Sequence, residues 1–254
     1  MRDAPPSLRP RSPGSTGSAD AVRVQLRLLN AFEVVCDGRT VQLPSLAQRL
    51  VAFVALHERP VERGYVAGML WLDTPDQRAA GNLRTALWRV QTRAHGLLDA
   101  CGHRLRLESG VRVDLRTAEQ VARREIEGAE TPGEVELFVG DLLPDWYDDD
   151  WILLERERFR QLRLRALDAL CARHLRAGRH GQALEAGLLS LAGEPLRESA
   201  HRALIRVHLD EGNAVEALRQ YKLCRRLLHD QLGIEPTQQL LDLIGPLDEV
   251  KTNR

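Results

Sequence analysis

The chain has few of the residues and patterns that mark metalloproteins, membrane proteins and secreted proteins. Its four cysteines are far apart, form no CxxC pair and have no histidine at ligand spacing, so the sequence does not predict a zinc site. Such isolated cysteines suit a reducing cytosol. No apolar run is long enough to span a membrane, and the N-terminus lacks the apolar stretch of a signal peptide. We therefore expect a cytoplasmic protein.

Patterns typical of enzymes are missing as well. The sequence contains no GxxxxGK phosphate loop and no GxSxG elbow. Its eight histidines are scattered, and His174 and His208 are interpreted as packing positions before ligands. Three consecutive aspartates at 148–150 would point in different directions, which favours a solvated acidic turn over a cation site. We expect no catalytic centre, no cofactor and no metal.

Positive charge is unevenly distributed, although the formal net charge is zero. Almost all cations are arginine, and lysine occurs only at positions 222 and 251. Residues 22–113 hold 13 arginines and 8 acidic residues, an excess of five positive charges. Residues 130–151 hold 8 acidic residues and no lysine or arginine. The first half of the chain can therefore meet phosphate, and the junction cannot.

The first half shows the order of elements of a winged helix-turn-helix. Residues 1–20 are rich in Pro, Ser, Gly and Arg and are predicted to be disordered. Alternating apolar residues predict short strands at 24–28, 32–35 and 40–43, with a tight turn at Asp37 and Gly38. Three helices are predicted at 45–57, at 62–72 and, after a break at 73–76, up to about residue 95, followed by a terminal hairpin over 104–113. A capping-box spacing of Ser45 and Gln48 marks the first helix start.

The third predicted helix has an apolar face and a polar face. At 100° per residue, five apolar residues fall together: Leu83, Ala86, Leu87, Val90 and Ala94. Five others point away from them: Arg84, Thr85, Trp88, Arg89 and Thr92. A solvated surface with incidental arginines is the simplest explanation for a lone helix, but this helix follows a bracing helix and a turn, as a DNA-reading helix does. Trp88 either contacts DNA or packs under the wing.

The outward side chains are candidate contacts to DNA. Arg84 and Arg89 are the best candidates, because a guanidinium can bridge two acceptors of guanine or clasp a phosphate. Thr85 and Thr92 can bond phosphate or touch a thymine methyl group. The remaining candidates for phosphate contact are Arg93, Arg104 and Arg106. For the last two, solvation of a strand explains the sequence equally well.

The second half reads as helices throughout. A capping-box spacing of Thr117 and Gln120 predicts a helix that ends at Gly128. Amphipathic segments follow at 152–177, 181–191, 197–211 and 214–232, with a short helix after 236. Two helical pairs repeat at 34 residues, with Gly178 matching Gly212, His174 matching His208, and Leu170 matching Leu204. This period is typical of tetratricopeptide repeats, whose stacked hairpins leave a groove for a partner protein or a dimer mate.

Six segments carry a more specific pattern: LRLLNAFEVVCDGRTVQLPSLAQRLVAFVAL, GMLW, NLRTALWRV, GHRLRL, VDLRTAEQ and EPLRESAHRALIRVHLDEGNAVEALRQYKLCRRLLHDQLGIEPTQQL. In them the chain resembles, over roughly residues 22–245, the Streptomyces antibiotic regulatory protein family. The resemblance implies an α+β winged helix-turn-helix domain at 21–113, followed by an all-α, tetratricopeptide-like bacterial transcriptional activator domain at 114–254. Departures from the family are Gln91 and Thr92, where relatives are more basic, and a short segment at 97–101 before the wing.

Two hypotheses follow from the sequence. The first is a transcriptional activator that, as the resemblance implies, binds direct repeats in double-stranded DNA as a homodimer and contacts RNA polymerase, without a membrane. The second is a protein-interaction scaffold of tetratricopeptide type with vestigial DNA binding, which the zero net charge and the short wing favour. An enzyme would need a site that the sequence does not contain.

Overall fold

The computed structural model describes residues 24–129, 135–147 and 149–252, with side chains as far as Gly245. The segment predicted to be disordered, 1–20, lies outside them. Three antiparallel strands come first: β1 (Val24–Arg27), β2 (Glu33–Cys36) and β3 (Arg39–Val41). Asp37 and Gly38 have φ angles of 50° and 77°, which are the left-handed values that a two-residue hairpin requires. The predicted strands and their turn are confirmed.

Three helices follow, at nearly the predicted positions. They are α1 (Ser45–Ala55), α2 (Arg63–Leu70) and α3 (Asp76–Arg93), with the short strand β4 (Val61–Glu62) before α2. The second half of α1 is buried on every side, and α1 and α2 both pack against α3. A helix with apolar residues on all sides forms the centre of a core. The core of the first half is therefore built around α1.

The predicted hairpin at 104–113 is wrong in its pairing. The strand β6 (Arg104–Leu107) pairs with β5 (Leu98–Asp99) on one side and with β4 on the other. The strand β7 (Arg112–Val113) instead runs parallel to β1 in the first sheet. Leu105 and Leu107 are buried beside α1, whereas Val113 is buried with the first sheet. The two strands cover different parts of the core, which alternation within the sequence does not reveal.

Neither predicted capping box forms. Helix α1 is capped by Pro44, whose carbonyl accepts the N–H groups of Ala47 and Gln48 at 2.8 and 3.0 Å. The amide of Gln48 donates to the carbonyl of Leu43 instead of reaching Ser45. In the first helix of the second half, the hydroxyl of Thr117 donates to the carbonyl of Val113, as it does inside a helix. Both spacings occur close to helix starts, but other groups satisfy the free backbone donors.

Helix α4 (Asp114–Ile126) begins three residues before the predicted cap because Asp114 anchors it. Its carboxylate accepts the N–H groups of Leu28, Leu29 and Leu115 at 2.9, 3.1 and 2.7 Å. Burial raises the pKa of Asp114 above its usual value, although the three donors act in the opposite direction. The carboxylate joins the end of β1 to the first helix of the second half.

The rest of the second half is a run of helices, each packed on the next. These are α5 (Leu153–Arg176), α6 (His180–Gly193), α7 (Glu198–Asp210), α8 (Ala214–Leu232) and α9 (Gln238–Thr252). All five were predicted, although α9 is longer than expected. Among the residues described, no helix combines the length and apolarity needed to cross a membrane.

The predicted 34-residue repeat is present in the local geometry. Gly178 and Gly212 both have positive φ, 67° and 76°, in the turns that follow α5 and α7. In the first turn, the N–H of Arg179 donates to the carbonyl of His174 at 2.9 Å, and the same bond recurs from Asn213 to His208 at 2.7 Å. Both turns therefore close in the same way.

The acidic junction is packed against the first half, which corrects one expectation. Asp149 was predicted to lie in a solvated turn, but it is 8% exposed. Its carboxylate accepts Nη2 of Arg49 at 2.6 Å and the indole N–H of Trp151 at 2.8 Å. Asp150 is exposed as predicted, and residue 148 lies outside the described part. The partner of Asp149 stands 100 positions earlier, so the sequence did not indicate it.

Breaking this ion pair should destabilise the fold. Arg49→Met keeps much of the side-chain volume but leaves Asp149 buried without its cation, and we expect a loss of about 1–3 kcal/mol in the free energy of unfolding. Urea denaturation measures it. The matched control is Arg27→Met, which breaks an exposed pair with Glu33 and should cost less than about 1 kcal/mol. Equal losses in both variants would contradict the structural role of Asp149.

Close packing of α6 on α7 should make any side chain at Gly187 destabilising. A Cβ at this position would lie 2.7 Å from Cδ2 of the buried Leu204. We expect Gly187→Ala to lower the free energy of unfolding by about 1–3 kcal/mol, as overpacked core positions do. A Cβ at Gly181 of the same helix meets nothing within 4 Å. Gly181→Ala should be neutral or stabilising in the same urea titration, and destabilisation by both variants would show that packing is not the cause.

Candidate nucleic-acid interface

Helix α3 turns its apolar face into the core, as predicted. Its buried residues are Ala79, Leu83, Ala86, Leu87 and Val90, and Ala94 is buried just after the helix ends. These side chains pack with α1 and α2. The residues of the opposite face therefore make no contribution to the core, and their chemistry is available for an external partner.

A short, well-anchored turn joins α2 to α3. Trp71 is buried at the end of α2, and its carbonyl accepts the N–H of Thr74 at 3.1 Å. Pro75 caps α3, its carbonyl accepting the N–H groups of Arg78 and Ala79 at 2.8 and 3.0 Å. The helix begins at Asp76, the last residue of the predicted break. Two exposed residues of its first turn, Gln77 and Arg78, were not among the candidates because the apolar stripe that drew attention to the helix starts later.

Arg84 and Arg89 carry uncompensated charge. Within the described ranges neither guanidinium has a carboxylate within 4.0 Å or a hydrogen bond to the protein. Arg84 is exposed and Arg89 is half-buried. A guanidinium without an internal partner keeps all of its donors for an external acceptor. Both predicted residues are thus on the open face of α3 and free to bind.

The two threonines on this face use their hydroxyl protons internally. The hydroxyl of Thr85 donates to the carbonyl of Gly81 at 3.1 Å, and that of Thr92 donates to the carbonyl of Trp88 at 2.8 Å. A phosphate accepts hydrogen bonds, so donation to it would require these bonds to break. The exposed methyl groups need no such change. Contact with a thymine methyl group is therefore the role that this arrangement favours.

Trp88 stands in the middle of the open face and is 64% exposed. It is absent from the aromatic contacts among the described side chains, which involve Trp146 and Trp151 instead. The alternative that Trp88 packs under the wing is therefore wrong. An exposed indole offers a large apolar surface and an N–H donor, a combination that is common at interfaces.

The flanking arginines differ in how far their charge is neutralised. Arg93 is exposed and donates one bond to the carbonyl of Gln42 at 3.1 Å. Arg104 lies 4.0 Å from Glu62, and both side chains are open to solvent. Arg106 donates to Asp99 at 2.7 Å, and this carboxylate raises the pKa of the guanidinium. Arg93 and Arg104 remain usable for phosphate contact, whereas Arg106 is compensated within the β5–β6 hairpin.

A family model described as "Bacterial transcriptional activator domain" matches residues 105–246, which is more than half of the chain. The chain belongs to the bacterial transcriptional activator domain family. This family is one of transcriptional regulators, and the match confirms the expected kinship with the Streptomyces antibiotic regulatory proteins. The match begins within β6, before the predicted domain boundary at 113, which stays a prediction.

Two relatives extend the similarity of this family member over nearly its whole length. Regulatory protein AfsR of Streptomyces griseus is 26% identical over 266 residues, covering 95% of this chain and 26% of AfsR. AfsR of Streptomyces coelicolor is 28% identical over 255 residues, covering 94% of this chain and 25% of that protein. The chain thus spans about a quarter of the length of these two relatives.

A solved structure shares the fold. EmbR of Mycobacterium tuberculosis, solved in complex with a low-affinity phosphopeptide, superposes with a TM-score of 0.64 at 20% sequence identity. The superposition covers 88% of this chain and 64% of the EmbR chain. The two proteins share small sheets in the first half and a mostly helical body.

Trp88 should be the most accessible tryptophan of this family member, because Trp71 is buried and Trp146 and Trp151 are half-buried. We expect Trp88→Phe to remove the most red-shifted part of the fluorescence emission and most of its quenching by iodide. The control is Trp71→Phe, which should leave iodide quenching almost unchanged. Quenching that persists in Trp88→Phe would show that the indole is covered.

Proposed function

We propose that this protein is a sequence-specific, DNA-binding transcriptional regulator whose helix α3 enters the major groove. The observation that carries the proposal is the open face of α3, where Arg84 and Arg89, unpaired within the described part of the chain, flank the exposed Trp88. An apolar residue and free guanidinium groups on one helix face offer contacts to bases and to phosphates together.

The surrounding elements support this role. In a helix-turn-helix, the second helix lies in the major groove while the first crosses the DNA backbone. Here α2 packs on α3 through the short turn at 71–75, and the β5–β6 hairpin supplies the wing of a winged helix-turn-helix. Helix α3 has 18 residues, so its length is about 27 Å, and it extends well beyond a groove about 12 Å wide.

Contacts to the DNA backbone would come from the flanks of this unit. Arg93 at the end of α3 and Arg104 in the hairpin are exposed and keep donors for phosphate. The excess of five positive charges over residues 22–113 favours approach to a polyanion. We assign base contacts to Arg84 and Arg89 and backbone contacts to these two flanking arginines.

The helical body would hold the protein partners of the regulator. Its 34-residue repeat is that of tetratricopeptide hairpins, whose stacking leaves a concave groove. Several apolar side chains stay exposed around α8, namely Val215, Leu223, Leu232 and Ile234. We propose that this body mediates a homodimer on direct repeats and contacts RNA polymerase, so that the protein activates transcription from the chromosome in the cytoplasm.

A second function, a protein-interaction scaffold with vestigial DNA binding, is favoured by two observations. The net charge is zero, and the short β5–β6 hairpin has Arg106 neutralised by Asp99. Selection of genomic fragments bound by the full chain separates the two functions. A regulator enriches a small set of sequences near promoters, whereas a scaffold enriches none.

Removing the free guanidinium groups should weaken DNA binding. We expect Arg84→Ala and Arg89→Ala each to cost about 1–3 kcal/mol in binding free energy and to relax specificity at one base position. Mobility shifts on the selected fragments measure the affinity. If an arginine contacts phosphate instead, the slope of log affinity against log salt should fall by about 1.

The matched control is Arg165→Ala, because Arg165 is an exposed arginine on α5 that also lacks a partner among the described residues. It should leave both affinity and salt slope unchanged. Should the Arg84 and Arg89 variants behave like this control, α3 is not the DNA-reading helix.

A further inference from the structure

The start of α3 is open to solvent, whereas its end is held by the rest of the protein. The first three residues of the helix, 76–78, are all exposed. At the other end, Arg93 donates a hydrogen bond to the carbonyl of Gln42, directly after β3, and Ala94 is buried. A partner can therefore approach the start of the helix more easily than its end.

Gln77 extends the open face of α3 toward the helix start. At 100° per residue, it lies within about 20° of both Arg84 and Trp88. These three residues are on the side of the helix opposite the buried Ala86 and Val90. Gln77 precedes Arg84 by about 10 Å along the helix axis. The face with the free guanidinium and the exposed indole thus also has an amide in its first turn.

The amide of Gln77 keeps its donors and its acceptor available. Within the described ranges it makes no hydrogen bond to another residue. Thr85 of the same face differs, because its hydroxyl donates to the carbonyl of Gly81. Adenine presents one acceptor and one donor in the major groove, and a glutamine amide can bond to both at once. A guanidinium only donates and suits guanine instead. Gln77 and Arg84 therefore suit different bases.

The charges around the first turn permit this end of the helix to approach DNA. The start of a helix carries a partial positive charge. Arg78, next to Gln77, adds a cation that has no carboxylate within 4.0 Å among the described residues. Of the two nearby carboxylates, Asp73 belongs to the preceding turn and Asp76 lines the crevice between α2 and α3. Neither belongs to the face that Gln77 shares with Arg84.

We propose that Gln77 is a specificity-determining residue that binds the major-groove edge of an adenine. This inference rests on the DNA-binding function proposed above. In helix-turn-helix proteins the first residues of the reading helix contact the bases, and Gln77 is the residue of that turn in line with Arg84. Base pairs are about 3.4 Å apart along DNA, so two side chains about 10 Å apart along the helix read different base pairs.

Two substitutions at position 77 test the proposal by selection from randomised duplexes built on the fragments that the full chain binds. Gln77→Ala should weaken binding about tenfold and abolish the preference for adenine at one base position. Gln77→Arg should change the preference at that position from adenine to guanine, because a guanidinium pairs with guanine. Glutamine, alanine and arginine all suit a helix, so the melting temperatures should stay the same.

Gln91 and Gln182 provide matched controls. Gln91 is exposed near the end of α3, and Gln182 is exposed in the first turn of α6. Neither side chain bonds to another residue in the part of the chain that the structure describes. Gln91→Ala and Gln182→Ala should leave affinity and base preference unchanged. A preference lost in Gln91→Ala and kept in Gln77→Ala would show that the opposite end of α3 meets the bases, which overturns the proposal.

The outcomes distinguish this inference from the function on which it rests. If Gln77→Ala and Gln77→Arg keep the base preference of the unsubstituted protein while Arg84→Ala is impaired, the role of Gln77 is wrong and the function stands. If the unsubstituted protein selects no DNA sequence, the proposed function fails and this inference fails with it. A change from adenine to guanine, at a position other than the one relaxed by Arg84→Ala, supports both.

Discussion

The fold depends on the ion pair between Arg49 and Asp149, which joins the two halves of the chain. Asp149 is buried, and a buried carboxylate is stable only when its charge is paired and hydrogen-bonded. Arg49 supplies two nitrogens, at 2.6 and 2.8 Å from one carboxylate oxygen, and Trp151 adds an indole N–H. Since Arg49 belongs to α1, the pair ties the helical body to the centre of the first core.

Everything proposed for the open face of α3 follows from the position of α1. The second half of α1 is buried and packs against α2 and α3, so the apolar face of α3 is buried in the same core. What remains outside is a strip of polar residues around Trp88. Asp114 of α4 also stabilises the first core, because its carboxylate accepts two backbone N–H groups directly after β1 and so holds the first sheet. The helical body thus helps to hold the first core in place.

Most of the elements could be predicted because their patterns are local. Alternation in β1 and β2, the positive φ at Gly38, the apolar stripe of α3 and the 34-residue spacing all depend on residues close in the chain. The errors have one physical source, which is competition from distant partners. Asp114 starts α4 early by accepting the N–H groups of Leu28 and Leu29. The strand β7 pairs with β1 instead of with β6. A cap or a hairpin predicted from spacing takes no account of such partners.

For the candidate interface, the sequence by itself determined which face of α3 is free. The periodicity of its apolar residues decides which side chains are buried in the core. Tertiary structure decided which residues of this interface are paired with a carboxylate and which are exposed to solvent. It left Arg84 and Arg89 without a partner among the described residues, neutralised Arg106 with Asp99 and exposed Trp88. The physical reason is that ion pairing and solvent exposure depend on distances between elements, and these distances exist only after the chain has packed.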